Sequence, residues 1–435
     1  MSGDSKPVIA ESALEKLERL RAQAGGKRIV PMPMVKGIGH LIVDHSLILE
    51  VLSSTNFIRA PYLSDAFGEG LLLAEGERWS ISRPTIQPFY SAKQISRHAE
   101  RLGQFADELR DSWLDAARSG REVAFVRDLV GLVFRSSVFV MSGVDVGPND
   151  PRGISVIRLT GAANQLSGLG IFDPKSLISP AMAGALRDER KVLEEFSREL
   201  GEAHQEQIKS QSQSDCLLSR LMSSEFLDAS VNGCPIGGKG LIDEIVLLLQ
   251  ASVETTTASI GNTIELLAAN PEDLERLREE IKEVGNDPAQ PLPWSTACYR
   301  EGLRLRPPVW FNGRQALEKF ELSSGDIIEQ GGFVFICPYL VHRDPELWAE
   351  PEEYRPQRFI DKPVRENSAY LPFGLGRHYC IGAGLATMVA TGVLRRVFGT
   401  LNITPQLRAS AEPLEGFLLG PTLDSTAIVT PIDSN

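Results

Sequence analysis

Residues Gly240 to Asn270 read as one long helix whose first half, Leu241-Ile-Asp-Glu-Ile-Val-Leu-Leu-Leu-Gln250, is apolar nearly all round. A helix without a polar face cannot lie on a surface, so the rest of the chain has to be wrapped around this one. Pro271 closes it and opens the next helix. With 435 residues, 42% hydrophobic and 23% charged, the chain has enough apolar material to do this as one large domain over 1–435, with 1–27 as an N-terminal helix and lead-in. The middle of the helix departs from the pattern. Ala251-Ser252-Val253-Glu254-Thr255-Thr256, followed by Thr257, sets an acid and three threonines where burial is expected. Such groups are costly to bury unless something uses them. Two readings follow: a kink in which hydroxyls bond back to carbonyls, or a polar notch with a proton relay.

A second stretch is Phe373-Gly374-Leu375-Gly376-Arg377-His378-Tyr379-Cys380-Ile381-Gly382. One cysteine sits among glycines, and a helix-competent apolar run, Leu385 to Phe398, follows it. Glycines allow unusual dihedrals and close approach to a flat ligand. The start of a helix behind the cysteine points amide donors at the sulfur and favours the thiolate. A thiolate held in this way suits haem iron. Taken by itself the residue reads better as a buried structural cysteine in a Gly-rich turn.

The spacing Phe373-x-x-Gly376-x-x-x-Cys380-x-Gly382 resembles the haem-thiolate loop of the cytochrome P-450 family. Three further stretches, in order along residues 76–400, agree with it. Trp79 and Arg83 are four apart in Gly76-Glu-Arg-Trp-Ser-Ile-Ser-Arg83 and share a helical face, with Pro84 just behind. Glu254-Thr255 resembles the family's acid–threonine pair, although Ser252 stands where glycine is usual. Glu301 and Arg304 are three apart in a short helix over Ser295 to Leu305, and Pro356-Gln-Arg358-Phe359 follows downstream.

The resemblance implies a mainly α fold with small β-sheets and haem b between the long central helix and the cysteine loop. It implies that Cys380 is the axial ligand of the iron. Phe373, Gly374, Gly382 and Ala251 would lie against the haem, and Trp79, Arg83, Arg314 and His378 would hold its propionates. Thr255 would donate to dioxygen, with Glu254 linking it to solvent. Glu301, Arg304 and Arg358 would form a buried structural network, which must be complete because one unpaired buried charge costs about 3–5 kcal/mol. The implied activity is monooxygenation: hydroxylation or epoxidation of a hydrophobic small molecule, of the kind met in secondary metabolism. Leu247, Ala251, Trp310, Phe311 and Phe417 are the expected pocket residues. The alternatives are phenol or aryl coupling, desaturation or peroxide-driven oxidation, and, ranked below them, a silent haem-binding recruitment module. A hydrolase using Cys380 and His378 is excluded, because residues two apart in a tight loop make a poor nucleophile–base pair.

The remaining expectations are coarser. No Gly-rich dinucleotide fingerprint is present, so electrons are expected from a separate ferredoxin- or flavodoxin-type donor and its reductase, docking near Arg377, Arg395 and Arg396. A net charge of −12 argues against nucleic acid as a partner. The first twenty residues hold no apolar run suited to a membrane anchor or signal, and five cysteines without paired spacing fit a reducing compartment, so a cytoplasmic location is expected. Lys93 to Gly120 reads as one amphipathic helix, and Asp128 to Ser142 as another. Ser179-Pro180 opens a long charged helix, half of a two-helix lid. Residues 53–72 read as irregular, His98 and His204 as solvated, and His342 as part of a turn. Trp310 to Leu317 and Phe333 to Cys337 read as strands.

Overall fold

The computed structural model describes residues 13–34, 38–59, 68–161, 180–210, 216–285, 290–361, 369–406 and 418–432. Its axis is the predicted central helix, which runs from Gly237 to Ala269 as one uninterrupted stretch of 33 residues. The expected interruption at Ala251–Thr256 is absent. Ser252 Oγ donates to Leu249 O at 3.1 Å and Thr255 Oγ1 to Ala251 O at 2.7 Å, so these hydroxyls satisfy themselves on the helix's own carbonyls without breaking it.

Four helices pack around this axis: Phe125–Ser142, Pro180–Ser210, Pro293–Leu305 and Ala383–Phe398. Their apolar faces close one core that includes Phe134, Val253, Ile260, Leu267, Tyr299 and Leu394. The segment read as one helix from Lys93 to Gly120 is two, Ala92–Ser96 and Ala99–Arg118. The change of direction at Arg97 and His98 lets both Ile95 and Leu102 reach the core. His98 is half-buried, edge-on to Phe139 at 5.7 Å. His204 is not solvated but fully buried, because its ring meets Ser219 Oγ at 2.7 Å and Cys216 Sγ at 3.5 Å. Of the expected lid between residues 150 and 215, residues 162–179 and 211–215 lie outside the described residues.

A five-stranded sheet stands beside the helices in the order Ile29–Pro33, Ile38–Ile42, Phe333–Ile336, Asn312–Ala316, Phe57–Arg59. All its pairings are antiparallel except Ile38–Ile42 with Phe333–Ile336. Its edge comes from part of the stretch read as irregular, and places Arg59 directly opposite Arg314. A second sheet pairs Leu401–Gln406 with Thr426–Pro431. No helix among the described residues is long and apolar enough to cross a membrane.

Candidate functional site

Cys380 ends a loop that is shaped by glycine. Gly374 and Gly376 have φ of 71° and 70°, a region that side chains rarely adopt. At Gly376 a Cβ would also lie 2.3 Å from Leu52 O, so no other residue fits there. Gly382 has ordinary φ and serves as the cap of the helix Ala383–Phe398. The loop is closed by Cys380 N–H donating to Phe373 O at 3.0 Å, with Phe373 and Tyr379 edge-to-face at 6.4 Å.

The sulfur lies on the wall of a recess of about 500 Å³ lined by Arg83, Gln87, Tyr90, Tyr379 and Gly384. The residue is therefore reached by solvent although protein atoms surround it closely. Burial raises its thiol pKa, while the backbone N–H groups of Gly382 and Ala383 and the charges of Arg59 and Arg83 pull the other way. Those donors are the start of the cysteine helix, where the dipole favours negative sulfur.

Positive groups converge on this wall. Arg83 donates to Tyr379 O at 2.9 Å and to Gln87 Oε1 at 2.8 Å. Arg59 reaches toward His378 O at 3.5 Å. Its pKa falls to about 9, through burial first and the neighbouring charge of Arg314 second. Arg314 is buried, donating to Gly313 O at 2.9 Å. His378 stands edge-on to Trp79 at 5.8 Å, and the Arg377 guanidinium covers the same indole at 4.3 Å. The carboxylate in this cluster is Glu75, with His378 Nε2 at 3.2 Å and Arg377 at 3.7 Å. Glu75 also accepts from Arg59 N–H at 3.0 Å. Burial pushes its pKa up, but His378 and that N–H hold it below the ordinary value.

The structure thus brings Trp79, Arg83, Arg314, His378 and Cys380 into one neighbourhood. It adds Arg59 and Glu75, which sequence reading missed. Arg59 gave no signal because it is a lone charge after a phenylalanine and an isoleucine in an apparently irregular stretch; only the sheet register places it. A haem fits these residues. Its two carboxylates would meet a cluster with more positive than negative groups, and its iron would face a sulfur already supplied with N–H donors.

The polar segment of the central helix is split in its behaviour. Thr255 is bonded to Ala251 O, while Glu254 has a carboxylate oxygen, Oε2, that is buried and without a partner. Burial raises the Glu254 pKa to about 8, and Thr160 lowers it slightly. Ala251 is half-buried and Leu247 fully buried in the core.

Beneath the loop, Arg304 bonds Glu301 through Nε at 2.8 Å and Nη2 at 2.9 Å, and Arg358 Nε reaches Glu301 at 3.0 Å. Arg304 also donates to His342 O, Pro351 O and Glu353 O, so its charge is fully used. His342 does more than make a turn. It is completely buried, with Nδ1 at 2.9 Å from Arg304 O, and its Nε2 accepts from Leu371 N–H at 2.8 Å.

Two sets of expected residues sit differently. Trp310 and Phe311 are buried in a cluster with Leu20, Met32 and Leu419, and Phe311 stacks on Phe335 at 5.2 Å. Phe417 lies outside the described residues. Arg395 and Arg396 cannot form a docking surface: Arg395 is buried, its guanidinium given to Gly285 O, and Arg396 is held by Asp107 at 3.2 Å.

The family model described as cytochrome P-450 matches residues 27–426. An ultra-long-chain fatty acid omega-hydroxylase of Homo sapiens is 26% identical over 364 residues, 77% of this chain and 68% of that protein. A cyclooctatin synthase of Streptomyces melanosporofaciens is 26% identical over 351 residues, 78% of this chain and 73% of that protein.

Proposed function

The chain belongs to the cytochrome P-450 family of haem-dependent monooxygenases, and on that premise we propose that Cys380 is its thiolate ligand in a single catalytic domain that oxidises a hydrophobic small molecule. The observation that carries this reading is the position of the Cys380 sulfur: at the head of a helix, toward two backbone N–H groups, among Arg59 and Arg83. Haem b, when bound through that sulfur, supplies dioxygen activation and oxygen transfer. Everything else is done by the chain's own groups. Arg59, Arg83, Arg314, His378 and Trp79 bind and orient the haem carboxylates. Phe373, Gly374, Gly382 and Ala251 give it flat contact. Glu254, protonated up to about pH 8, is the proton source we assign to this segment, next in sequence to Thr255. The Glu301–Arg304–Arg358 network fixes the segment beneath the loop.

Leu247, which is apolar and lies on the central helix near the half-buried Ala251, supports a hydrophobic substrate. The two relatives carry different activities in their names. Electrons are assigned to a separate ferredoxin- or flavodoxin-type donor with its reductase. The recess leading to Cys380, with Arg83 and Gln87 on its rim, is the docking place we favour over Arg395 and Arg396. Five free cysteines suit the cytoplasm.

The absorption spectrum of the reduced, carbon-monoxide-bound protein tests the ligand. The parent is expected to show the thiolate signature, and Cys380→Ala to lose it. An unchanged spectrum in Cys380→Ala would end this reading. Once a substrate is found by spin-state screening, heavy dioxygen tests insertion: label in the product supports monooxygenation, and unlabelled product would move the assignment to coupling or desaturation.

A further inference from the structure

Gln250 is a buried amide that the fold leaves unused. It is 4% exposed, and its Oε1 and Nε2 are both buried without hydrogen-bond partners. The fold can satisfy polar side chains on this helix. Ser259 donates to Thr256 O and Thr263 to Ser259 O, both at 2.8 Å, as Ser252 and Thr255 do to their own carbonyls. Asn262, the other amide on the helix, gives its Nδ2 to Arg306 O at 3.2 Å and Leu419 O at 3.0 Å. An amide left dry costs stability unless something outside the fold pairs with it.

Helix geometry places this amide. At about 3.6 residues per turn, Gln250 lies two turns beyond Asp243 on one face. Asp243 takes Arg190 of the helix Pro180–Ser210 at 2.5 Å, so that helix covers this face. Glu254, four residues on from Gln250, shares the face and stands beside Thr160. Leu247 precedes Gln250 by three residues and Ala251 by four, so it adjoins both. Ala251 and Thr255 form the neighbouring face, the one assigned to the haem. Gln250 therefore stands between the covering helix and the haem side, with apolar Leu247 next to it. Small-molecule pockets are built in this way, mostly apolar with a few polar groups that fix orientation.

The amide offers an acceptor and two N–H donors, and the Glu254 carboxyl, kept neutral up to about pH 8 by burial, leaves Oε2 unpartnered beside it. A group that meets the amide in full must donate and accept at once. An ammonium cannot accept. A carboxylate cannot donate, and it would need a counter-charge. Two cations border this face, Arg190 and Lys239, and Asp243 holds both, at 2.5 Å and 3.2 Å. A neutral hydroxyl meets every condition.

We propose that Gln250 binds the substrate, and that the substrate is a hydrophobic molecule whose hydroxyl group pairs with this amide while its apolar part lies against Leu247. The pairing fixes which carbon faces the haem, so Gln250 governs the position of oxidation as well as affinity. The inference rests on the haem-dependent oxidation proposed above and names the substrate class for it.

The test uses haem-loaded parent, Gln250→Leu and Gln250→Met, each first checked for the thiolate signature with carbon monoxide. Dodecanol, borneol and cinnamyl alcohol are each compared with their methyl ethers, which keep the acceptor and lose the donor. Binding is read by equilibrium dialysis and by the haem spin-state shift. In the parent, at least one alcohol is expected to bind about tenfold more tightly than its ether, because the ether leaves a buried polar group unpaired. In both variants that ratio falls to about one. Without ligand, their denaturation midpoints should equal or exceed the parent's, since a dry amide has been removed. If Gln250→Leu fails to fold, Gln250→Met, closer in shape, carries the comparison. A parent that prefers no alcohol to its ether overturns the proposal, as does a preference that survives in the variants. Lowered midpoints with an unmoved preference would assign the amide to the fold and overturn it as well. A parent without the thiolate signature ends the functional reading instead, and that is seen before any ligand is added.

Discussion

Arg59 and Arg314 face each other directly across two antiparallel strands, a like-charge pair that sheet geometry penalises. The structure offsets it only in part, through Glu75 and the Cys380 sulfur, and the Arg59 pKa is depressed, by burial first and by Arg314 second. A site that keeps such a pair is poised for an anion. We expect Arg59→Leu to leave the haem-free protein at least as stable as the parent. Its haem should be lost to an excess of an acceptor globin about tenfold faster or more, the cost of one charge-assisted hydrogen bond of about 1.5–3 kcal/mol. Unchanged haem loss in this variant would remove Arg59 from the site.

Glu254 and Thr255 are adjacent, yet the Thr255 hydroxyl is bonded to Ala251 O while Glu254 keeps one buried carboxylate oxygen, Oε2, without a partner. Thr255→Ala removes the hydroxyl that Ala251 O accepts in addition to the helix's own N–H. Substrate oxidation is expected to fall by about a hundredfold while substrate-induced spin shifts persist, since general-acid groups contribute roughly 10²–10⁴ in rate. For Glu254 the folded pKa is raised above the unfolded value, so stability is greatest at low pH and is lost as pH rises toward about 8. Glu254→Gln should therefore gain on the parent across that window, by at most about 1.4 kcal/mol per pH unit, and by less because solvent reaches part of the residue. Urea titrations at pH 5 and pH 8 measure the difference.

What the sequence disclosed follows a physical division. Short-range patterns were legible: Trp79 with Arg83, Glu301 with Arg304, and the loop to Cys380 are each contained within one helix or turn, and spacing alone brings their side chains together. Arg59 and Glu75 were not, because their partners come from sheet register and from a loop about 300 residues downstream. His204 and His342 misled for the same reason. Polar neighbours suggested solvent for His204 and a simple turn for His342, while tertiary packing buried both rings. Arg395 and Arg396 failed in the opposite direction. A basic pair near a helix end looked like a surface for a partner, but the helix turns both inward, to Gly285 and Asp107.

His342 should make the fold acid-sensitive. Burial lowers its pKa to about 3, and its bonds to Arg304 O and Leu371 N–H fit the neutral ring with the proton on Nδ1. A base depressed below its unfolded value of about 6.5 gives stability that is present above that pH and lost as pH falls toward 3. The expected slope is about 1.4 kcal/mol per pH unit over that window. His342→Gln can keep both hydrogen bonds and does not titrate. Denaturant midpoints between pH 4 and pH 7 should depend less on pH in this variant than in the parent, and equal slopes would refute the assignment.

Glu301 offers the sharpest test of the network beneath the loop. It and Arg304 are fully inaccessible, and the carboxylate also takes Arg358 Nε and Arg355 N–H, the latter at 2.8 Å. Glu301→Gln keeps the shape but removes the charge, leaving Arg304 buried with only carbonyl partners. A buried pair broken from one side costs about 3–5 kcal/mol, so this variant should be strongly destabilised or fail to accumulate. Arg358→Met removes a partner that is partly open to solvent and leaves Arg304 in place. It is expected to cost less, about 1–2 kcal/mol, as the loss of one charge-assisted bond. The double variant Glu301→Gln with Arg304→Met removes both buried charges and should recover part of the loss of Glu301→Gln, which chemical denaturation reads directly. No recovery would mean that Glu301 acts through Arg355 and the backbone, and that the salt bridge itself does not hold the segment.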